Sequence, residues 1–200
     1  AQGLKMHGGV PVDEIKNENH EGLAKGLENL DKHISNMQMY GQTVVVAFNR
    51  YASDTEEEID IVRRHCAGLG VGFAVNNAFI EGGKGAEELA RLVVETIANK
   101  PSAPLTLAYD DDDKVEEKIC KVARKVYGAA TVSFSAEAKK KLQMIYDMGY
   151  DRFPVCIAKT QYSFSTDPKL YGVAKNFDVN VSDIVINAGA EMLVIIAGKI

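Results

Sequence analysis

Tryptophan is absent from this 200-residue chain, proline occurs 5 times and cysteine 3 times. So little proline excludes a proline-rich spacer or a collagen-like repeat. Cys66, Cys120 and Cys156 stand at no metal-ligand or redox spacing, which excludes a zinc knuckle or a disulfide scaffold. They read as reduced, buried thiols and set the expectation of a cytoplasmic protein; no signal peptide is visible. No apolar run approaches the roughly 20 residues that cross a bilayer, so a membrane-spanning helix is excluded. An excess of positive charge is missing too: 23 Lys+Arg face 28 Asp+Glu, a net charge of −5, which argues against a nucleic-acid binder. With 46% apolar residues and so small a net charge, intrinsic disorder is excluded as well. What remains is a globular chain of one ordinary domain or two small ones. It begins at Ala1 without methionine, and the apolar run Met192-Leu193-Val194-Ile195-Ile196-Ala197 lies almost at its end. Termini normally sit in exposed segments, so the expectation is a piece of a longer protein.

The apolar pattern alternates between two periods. Leu23, Leu27, Leu30, Ile34 and Met37 are spaced 4, 3, 4 and 3 apart, one face of a helix. The run Thr43-Val44-Val45-Val46-Ala47-Phe48 is apolar enough for a strand covered on both faces. Asp54 with Glu57 predicts a capping-box helix start, continued by Ile59, Val62 and Cys66. A strand is predicted over 71–75, then a helix from about Gly85 carrying Leu89, Val93 and Ile97. Lys100-Pro101-Ser102-Ala103-Pro104 marks a boundary, giving subdomains at residues 1–100 and 105–200. The second reads as a strand over 105–108, a helix with Val115, Ile119, Val122 and Val126, and a strand over 131–134. A helix with Ala138, Leu142 and Ile145, a strand over 154–158 and a short helix opened by Asp167-Pro168 follow. Strands over 184–186 and 192–196 close the chain. This alternation predicts a layered α/β fold with largely parallel sheets and flanking helices.

Nucleotide motifs are missing. Neither Gly82-Gly83-Lys84-Gly85 nor Gly198-Lys199-Ile200 completes a Walker A loop. Gly68, Gly70 and Gly72 lie between a helix and the next strand, the reverse of a phosphate-binding turn, and read as a helix stop. Asp110-Asp111-Asp112-Asp113 precedes a helix, where carboxylates meet the positive end of the dipole; a metal site there is the lesser reading. His20, His33 and His65 show no ligand spacing and read as surface or capping groups. His7, in Lys5-Met6-His7-Gly8-Gly9, is a candidate ligand contact, because the glycines permit close backbone approach. No Ser-His-Asp or Cys-His nucleophile arrangement stands out, and no metal site is expected.

Two loops carry more. One strand runs into Asn49-Arg50-Tyr51-Ala52-Ser53-Asp54, the next into Asn76-Asn77-Ala78-Phe79-Ile80-Glu81-Gly82-Gly83. In a parallel sheet both leave the carboxyl edge, where open α/β folds place ligands. Tyr51 and Phe79 either face one another across a flat slot and stack on a heterocycle, or cover the end of the sheet as core residues.

The motifs Lys5-Met6-His7-Gly8-Gly9, Asn49-Arg50-Tyr51 with Asp54-Thr55, and Glu81-Gly82-Gly83-Lys84-Gly85 occur in this order. Cys156-Ile157-Ala158-Lys159-Thr160-Gln161-Tyr162-Ser163-Phe164-Ser165 completes the set. Together they resemble formate–tetrahydrofolate ligase, also called formyltetrahydrofolate synthetase, over the whole chain. The resemblance implies the C-terminal, folate-binding part of a cytoplasmic, homotetrameric enzyme of one-carbon metabolism. In that enzyme ATP, with magnesium and a monovalent cation, phosphorylates formate, and N10 of tetrahydrofolate takes the formyl group from formyl phosphate. The P-loop domain lies N-terminal to the matched region, so catalytic residues are expected there and this chain alone is expected to be inactive. The resemblance places Tyr51 and Phe79 on the two faces of the folate ring system, where the family more often has phenylalanine and tryptophan. It places Val75 in the same pocket and Asn49 and Asp54 as polar contacts or loop braces. The alternative is a scaffold and oligomerisation segment of the same enzyme with substrate sites elsewhere.

Overall fold

The structure, a computed structural model, describes residues 1–198 and is mixed α/β, with parallel strands flanked by helices. It divides into two compact units, Ala1–Thr106 and Leu107–Ile200. The first contains α1 (Gln2–His7), α2 (His20–Met39), β1 (Val45–Asn49), α3 (Glu56–Gly68) and β2 (Gly72–Asn76). A short α4 (Ala78–Glu81), a 3-10 turn (Gly82–Ala86) and α5 (Glu87–Asn99) complete it. The second contains α6 (Val115–Val122), β3 (Thr131–Phe134), α7 (Ala136–Asp147), β4 (Val155–Ala158), β5 (Asp178–Asn187) and β6 (Met192–Ala197).

In the first unit β1 and β2 pair in parallel, Val45 opposite Gly72 and Asn49 opposite Asn76. Side chains alternate across the two strands. Val46, Phe48, Phe73 and Val75 join the core of Leu23, Leu27, Ile59, Val62 and Cys66 supplied by α2 and α3. On the other face α5 lies against β2, and Gly72 admits the Leu92 side chain. The continuous apolar reading of the strand run follows from this two-sided cover. Helix α1 crosses α2 at glycine: a Cβ on Gly26 would stand 1.8 Å from the Leu4 carbonyl oxygen, and one on Gly8 1.7 Å from that of Gly22. The two main chains touch only because neither position carries a side chain.

Beneath this crossing the fully buried Lys5 ammonium meets the fully buried Glu58 carboxylate at 2.7 Å. The ammonium also donates to the Asn17 carbonyl oxygen at 2.8 Å. Glu58 is the third residue of α3, where its other oxygen accepts from Thr55 N while Thr55 Oγ1 accepts from Glu58 N. The capping box is therefore Thr55/Glu58, one residue later than the Asp54/Glu57 expected, because Asp54 is engaged by the preceding loop.

The interruption at residues 100–104 belongs to the first unit rather than standing between the two. Thr43 N donates to Ser102 Oγ at 3.0 Å, Ala103 N to the Gly41 carbonyl at 2.9 Å and Thr106 N to that of Tyr40 at 3.1 Å. No strand forms over 105–108: Leu105 and Leu107 are exposed and unpaired with any strand among the described residues.

In the second unit the strand order is β3-β5-β6-β4, with β3 parallel to β5, β4 parallel to β6, and β5 antiparallel to β6. A bulge between Val181 and Asp183 moves the buried set from Val179 and Val181 to Ile184. The helix carrying Val115 and Ile119 widens into a π turn at Ala123–Tyr127 and stops at Gly128, whose φ of 78° favours glycine. The helix expected at Asp167-Pro168 is a turn. Ser165 Oγ accepts from Asp167 N at 3.0 Å and Asp167 Oδ1 accepts from Lys169 N at 2.9 Å, so side chains take the donors a helix would order.

Removing one partner of a buried ion pair leaves an uncompensated charge. Glu58→Ala is expected to lower unfolding free energy by about 3–5 kcal/mol, with most of the loss recovered in a Lys5→Met/Glu58→Leu double variant. Urea denaturation of the three proteins checks both.

Candidate functional site

Asn49 and Asn76 are the last residues of β1 and β2 and stand opposite each other, so the following loops leave the sheet side by side at its carboxyl edge. Arg50 N extends the pairing by donating to the Asn76 carbonyl at 3.1 Å. The first loop then closes on Asp54. Tyr51 N donates to Asp54 Oδ2 at 2.9 Å, and Asp54 N donates back to the Tyr51 carbonyl at 3.0 Å. Asp54 is buried, and its other oxygen lies 2.9 Å from the main-chain nitrogen of Ala1. This bracing carboxylate holds Tyr51 at the rim.

The second loop closes on a glycine. Asn77 N donates to the Gly85 carbonyl at 2.9 Å, and a Cβ on Gly85 would stand 2.6 Å from the carbonyl atoms of Asn77. Only glycine permits that approach. Asn77 Nδ2 donates to Glu81 Oε1 at 2.7 Å, tying off the single turn of α4 that carries Phe79.

Between the loops lies a cavity of about 540 Å³ lined by Asn49, Arg50, Tyr51 and Ala52 from one side and Asn76, Phe79 and Ile80 from the other. Phe79 is 97% exposed and Tyr51 54% exposed. The rings therefore do not serve as core cover; both border one cleft. Exposed apolar surface on a braced loop is the kind that candidate interaction sites present. Val75 lies beneath, on the face it shares with Phe73, packed against the first core rather than lining the cleft. His7 lines an adjoining cavity of about 340 Å³ together with Asn49 and Tyr51. Burial, assisted by the nearby His33, lowers its pKa below the ordinary value and favours the neutral imidazole.

Arg50, Asn76 and Ile80 complete the lining without having been singled out from sequence. Asn76 had a signal: it ends its strand as Asn49 ends the other. Arg50 had none, since its pairing with Glu56 at 2.7 Å depends on the loop's course.

The remaining candidates are spent on structure. Asp113 and Asp110 pair with Lys121 at 2.5 and 3.2 Å, and Asp112 pairs with Arg152 at 2.8 Å. His20 lies 2.9 Å from Glu18 and His65 2.6 Å from Asp31. In the second unit Lys159 donates to the carbonyls of Thr160 and Ser163 and lies over the Tyr127 ring. Ser163 and Ser165, both buried, bond to each other and to the carbonyls of Leu170 and Asp167. Among the described residues no three His, Cys, Asp or Glu side chains converge as metal ligands, and no helix is long and apolar enough to cross a membrane.

An aromatic cleft at the carboxyl rim of parallel strands is the ligand position of the open α/β class. Comparison with known proteins adds the family. The family model for formate–tetrahydrofolate ligase matches residues 1–200, and the chain belongs to that family. It is 62% identical over 200 residues to the formate–tetrahydrofolate ligase of Phocaeicola vulgatus and 60% identical to that of Bacteroides fragilis, covering all of this chain and 36% of each relative. The enzyme of that name from Caldicellulosiruptor saccharolyticus is 45% identical over 198 residues, covering 98% of this chain and 35% of the relative. The chain thus spans about a third of the length of the curated relatives it matches, 36% in the first two.

Asp54→Ala removes the acceptor for Tyr51 N–H. It is expected to cost about 1–3 kcal/mol of stability and to abolish protection of the Tyr51 amide in hydrogen exchange, with the amides of β1 unaffected.

Proposed function

We propose that this chain is the folate-binding portion of a longer formate–tetrahydrofolate ligase, which uses ATP to formylate tetrahydrofolate at N10 from formate by way of formyl phosphate. The observation that carries the reading is the pair of exposed rings, Tyr51 and Phe79, bordering one cavity of about 540 Å³ at the carboxyl rim. The pyrimidine ring of a tetrahydropterin is flat and conjugated, and each ring stacked on it adds about 1 kcal/mol beyond the area it buries. Tyr51 and Phe79 are assigned to the two faces of the pterin, Asn49 to its polar edge and Asp54 to bracing the first loop. Val75 supports the floor from below.

ATP, magnesium and a monovalent cation are assigned to the P-loop domain that the resemblance implies lies N-terminal to this sequence. The sequence has no Walker A loop, and no three-ligand cluster occurs among the described residues. Phosphoryl transfer goes with that domain, and the isolated chain is expected to be catalytically inactive. The setting is the cytoplasm and the assembly a homo-oligomer, in keeping with the family resemblance.

One observation favours a second role as scaffold. Helix α5 buries none of its residues, and its Val94 and Ile97 are 66% and 67% exposed. An apolar helix face of this kind suits contact with another part of the enzyme or another subunit.

Calorimetric titration of tetrahydrofolate into the full-length polypeptide carrying this sequence tests the main reading. Phe79→Ala and Tyr51→Ala are each expected to weaken binding about tenfold, and Phe79→Trp to strengthen it. Unchanged affinity in both alanine variants would leave the scaffold role as the better account.

A further inference from the structure

The cleft also contains a directional hydrogen-bond relay. Ala78 N lies 3.2 Å from Asn76 Oδ1, Asn76 Nδ2 lies 2.8 Å from Asn49 Oδ1, and Asn49 and Asn76 both line the cavity. Amide oxygen and nitrogen are distinguished by their partners. Here the first partner is unambiguous, because a main-chain N–H only donates. Asn76 must therefore turn its oxygen to Ala78 and its nitrogen to Asn49. Asn49 must in turn present its oxygen to Asn76, leaving its own Nδ2 without a partner among the described residues.

We infer that Asn76 is a positioning residue which fixes the Asn49 side-chain amide as a hydrogen-bond donor to the ring edge of the bound heterocycle, selecting ligands that carry an acceptor there. Of the acceptors on a pterin's pyrimidine edge, N1 and the 4-oxo group, the 4-oxo group is assigned to this donor. This inference rests on the folate reading of the cleft and deepens it: the rings supply sequence-tolerant stacking, and the relay supplies chemical selectivity. A polar group placed to bond one partner discriminates strongly against a partner of the wrong polarity, because an unmatched donor is left facing a donor. Fixing the amide beforehand also removes the cost of choosing between its two orientations on binding.

Asn76→Asp tests the relay with little change of shape. The aspartate still accepts from Ala78 N–H but donates nothing, so Asn49 must reverse and present its oxygen to the cleft. Affinities of the full-length polypeptide for tetrahydrofolate and for its 4-amino-4-deoxy analogue, which carries a donor at that edge, give the readout. Asn76→Asp is expected to shift the preference about tenfold toward the 4-amino compound. Made in an Asn49→Ala background the same change is expected to shift it less than about twofold; what shift remains there is the direct effect of the new charge, which the difference between the two backgrounds removes. Should Asn76→Asp fail to fold, Asn49→Asp replaces the donor outright and is expected to move the preference in the same direction.

An equal shift in both backgrounds, or an unchanged preference in Asn49→Ala while Phe79→Ala still weakens binding, overturns the relay and leaves the binding site intact. Wild-type affinity in both Phe79→Ala and Tyr51→Ala overturns the site itself, and the relay with it.

Discussion

The parallel register of β1 and β2 is the constraint on which the cleft depends. Because Asn49 stands opposite Asn76, both strands end at the same height and their loops emerge as neighbours. A slip of one residue would turn every side chain to the other face. Phe48 or Val75, whichever strand slipped, would leave the core of Ile59, Val62 and Cys66, and the two asparagines would be separated. Hydrophobic burial on the α2–α3 side thus fixes the register, and the register places the functional groups. The Lys5–Glu58 pair acts on the same body from below, joining α1 to the first turn of α3, directly after the loop that carries Tyr51.

The loops show a consistent division of labour. Polar groups at their bases are consumed: Asp54 by Tyr51 N–H, Asn77 by Gly85 and Glu81, Asn76 by Ala78 and Asn49. Among the described residues, what remains unspent around the cleft is apolar ring surface, the Asn49 amide nitrogen and the buried Asn77 amide oxygen. The second unit offers the contrast. Its stretch from Lys159 to Ser165 is rich in hydroxyls and carries an ammonium, yet Lys159, Ser163 and Ser165 bond the carbonyls of their own loop. A long connection between β4 and β5 without regular structure needs such internal satisfaction, because its buried backbone groups have no ladder to join.

Much of this was legible in the sequence where periodicity and packing agree. The 4-3-4-3 spacing gave the face of α2, and Leu23, Leu27 and Ile34 are buried there. Several failures share a cause: elements whose existence depends on a partner that the sequence does not name. Residues 105–108 have the composition of a strand but meet no neighbouring strand among those described. Strand β5 begins at Asp178, well before the apolar stretch at 184–186, because its first half pairs with β3 despite carrying Asn180 and Ser182. Helix α1 was unforeseen because its stability comes from the glycine contacts with α2, not from its own brief pattern. At the cleft the two rings and Asn49 were legible from their position after strands. Asn76 was hidden, since its importance comes from the polarity of a backbone group two residues away.

The absence of tryptophan bears on how such a cleft divides its work. A phenylalanine at position 79 offers less area for stacking than an indole and no N–H to donate. Ring contact alone then distinguishes poorly among flat heterocycles, since any of them presents a π face. With a heterocycle bound as proposed, selectivity falls to the edge. In this cleft the edge is supplied by an amide whose orientation is set through the backbone of the same turn that carries Phe79. The aromatic and polar parts of the site are therefore mechanically one unit: a displacement of α4 that moves the ring also moves the donor that fixes Asn76, so stacking and edge recognition are gained or lost together.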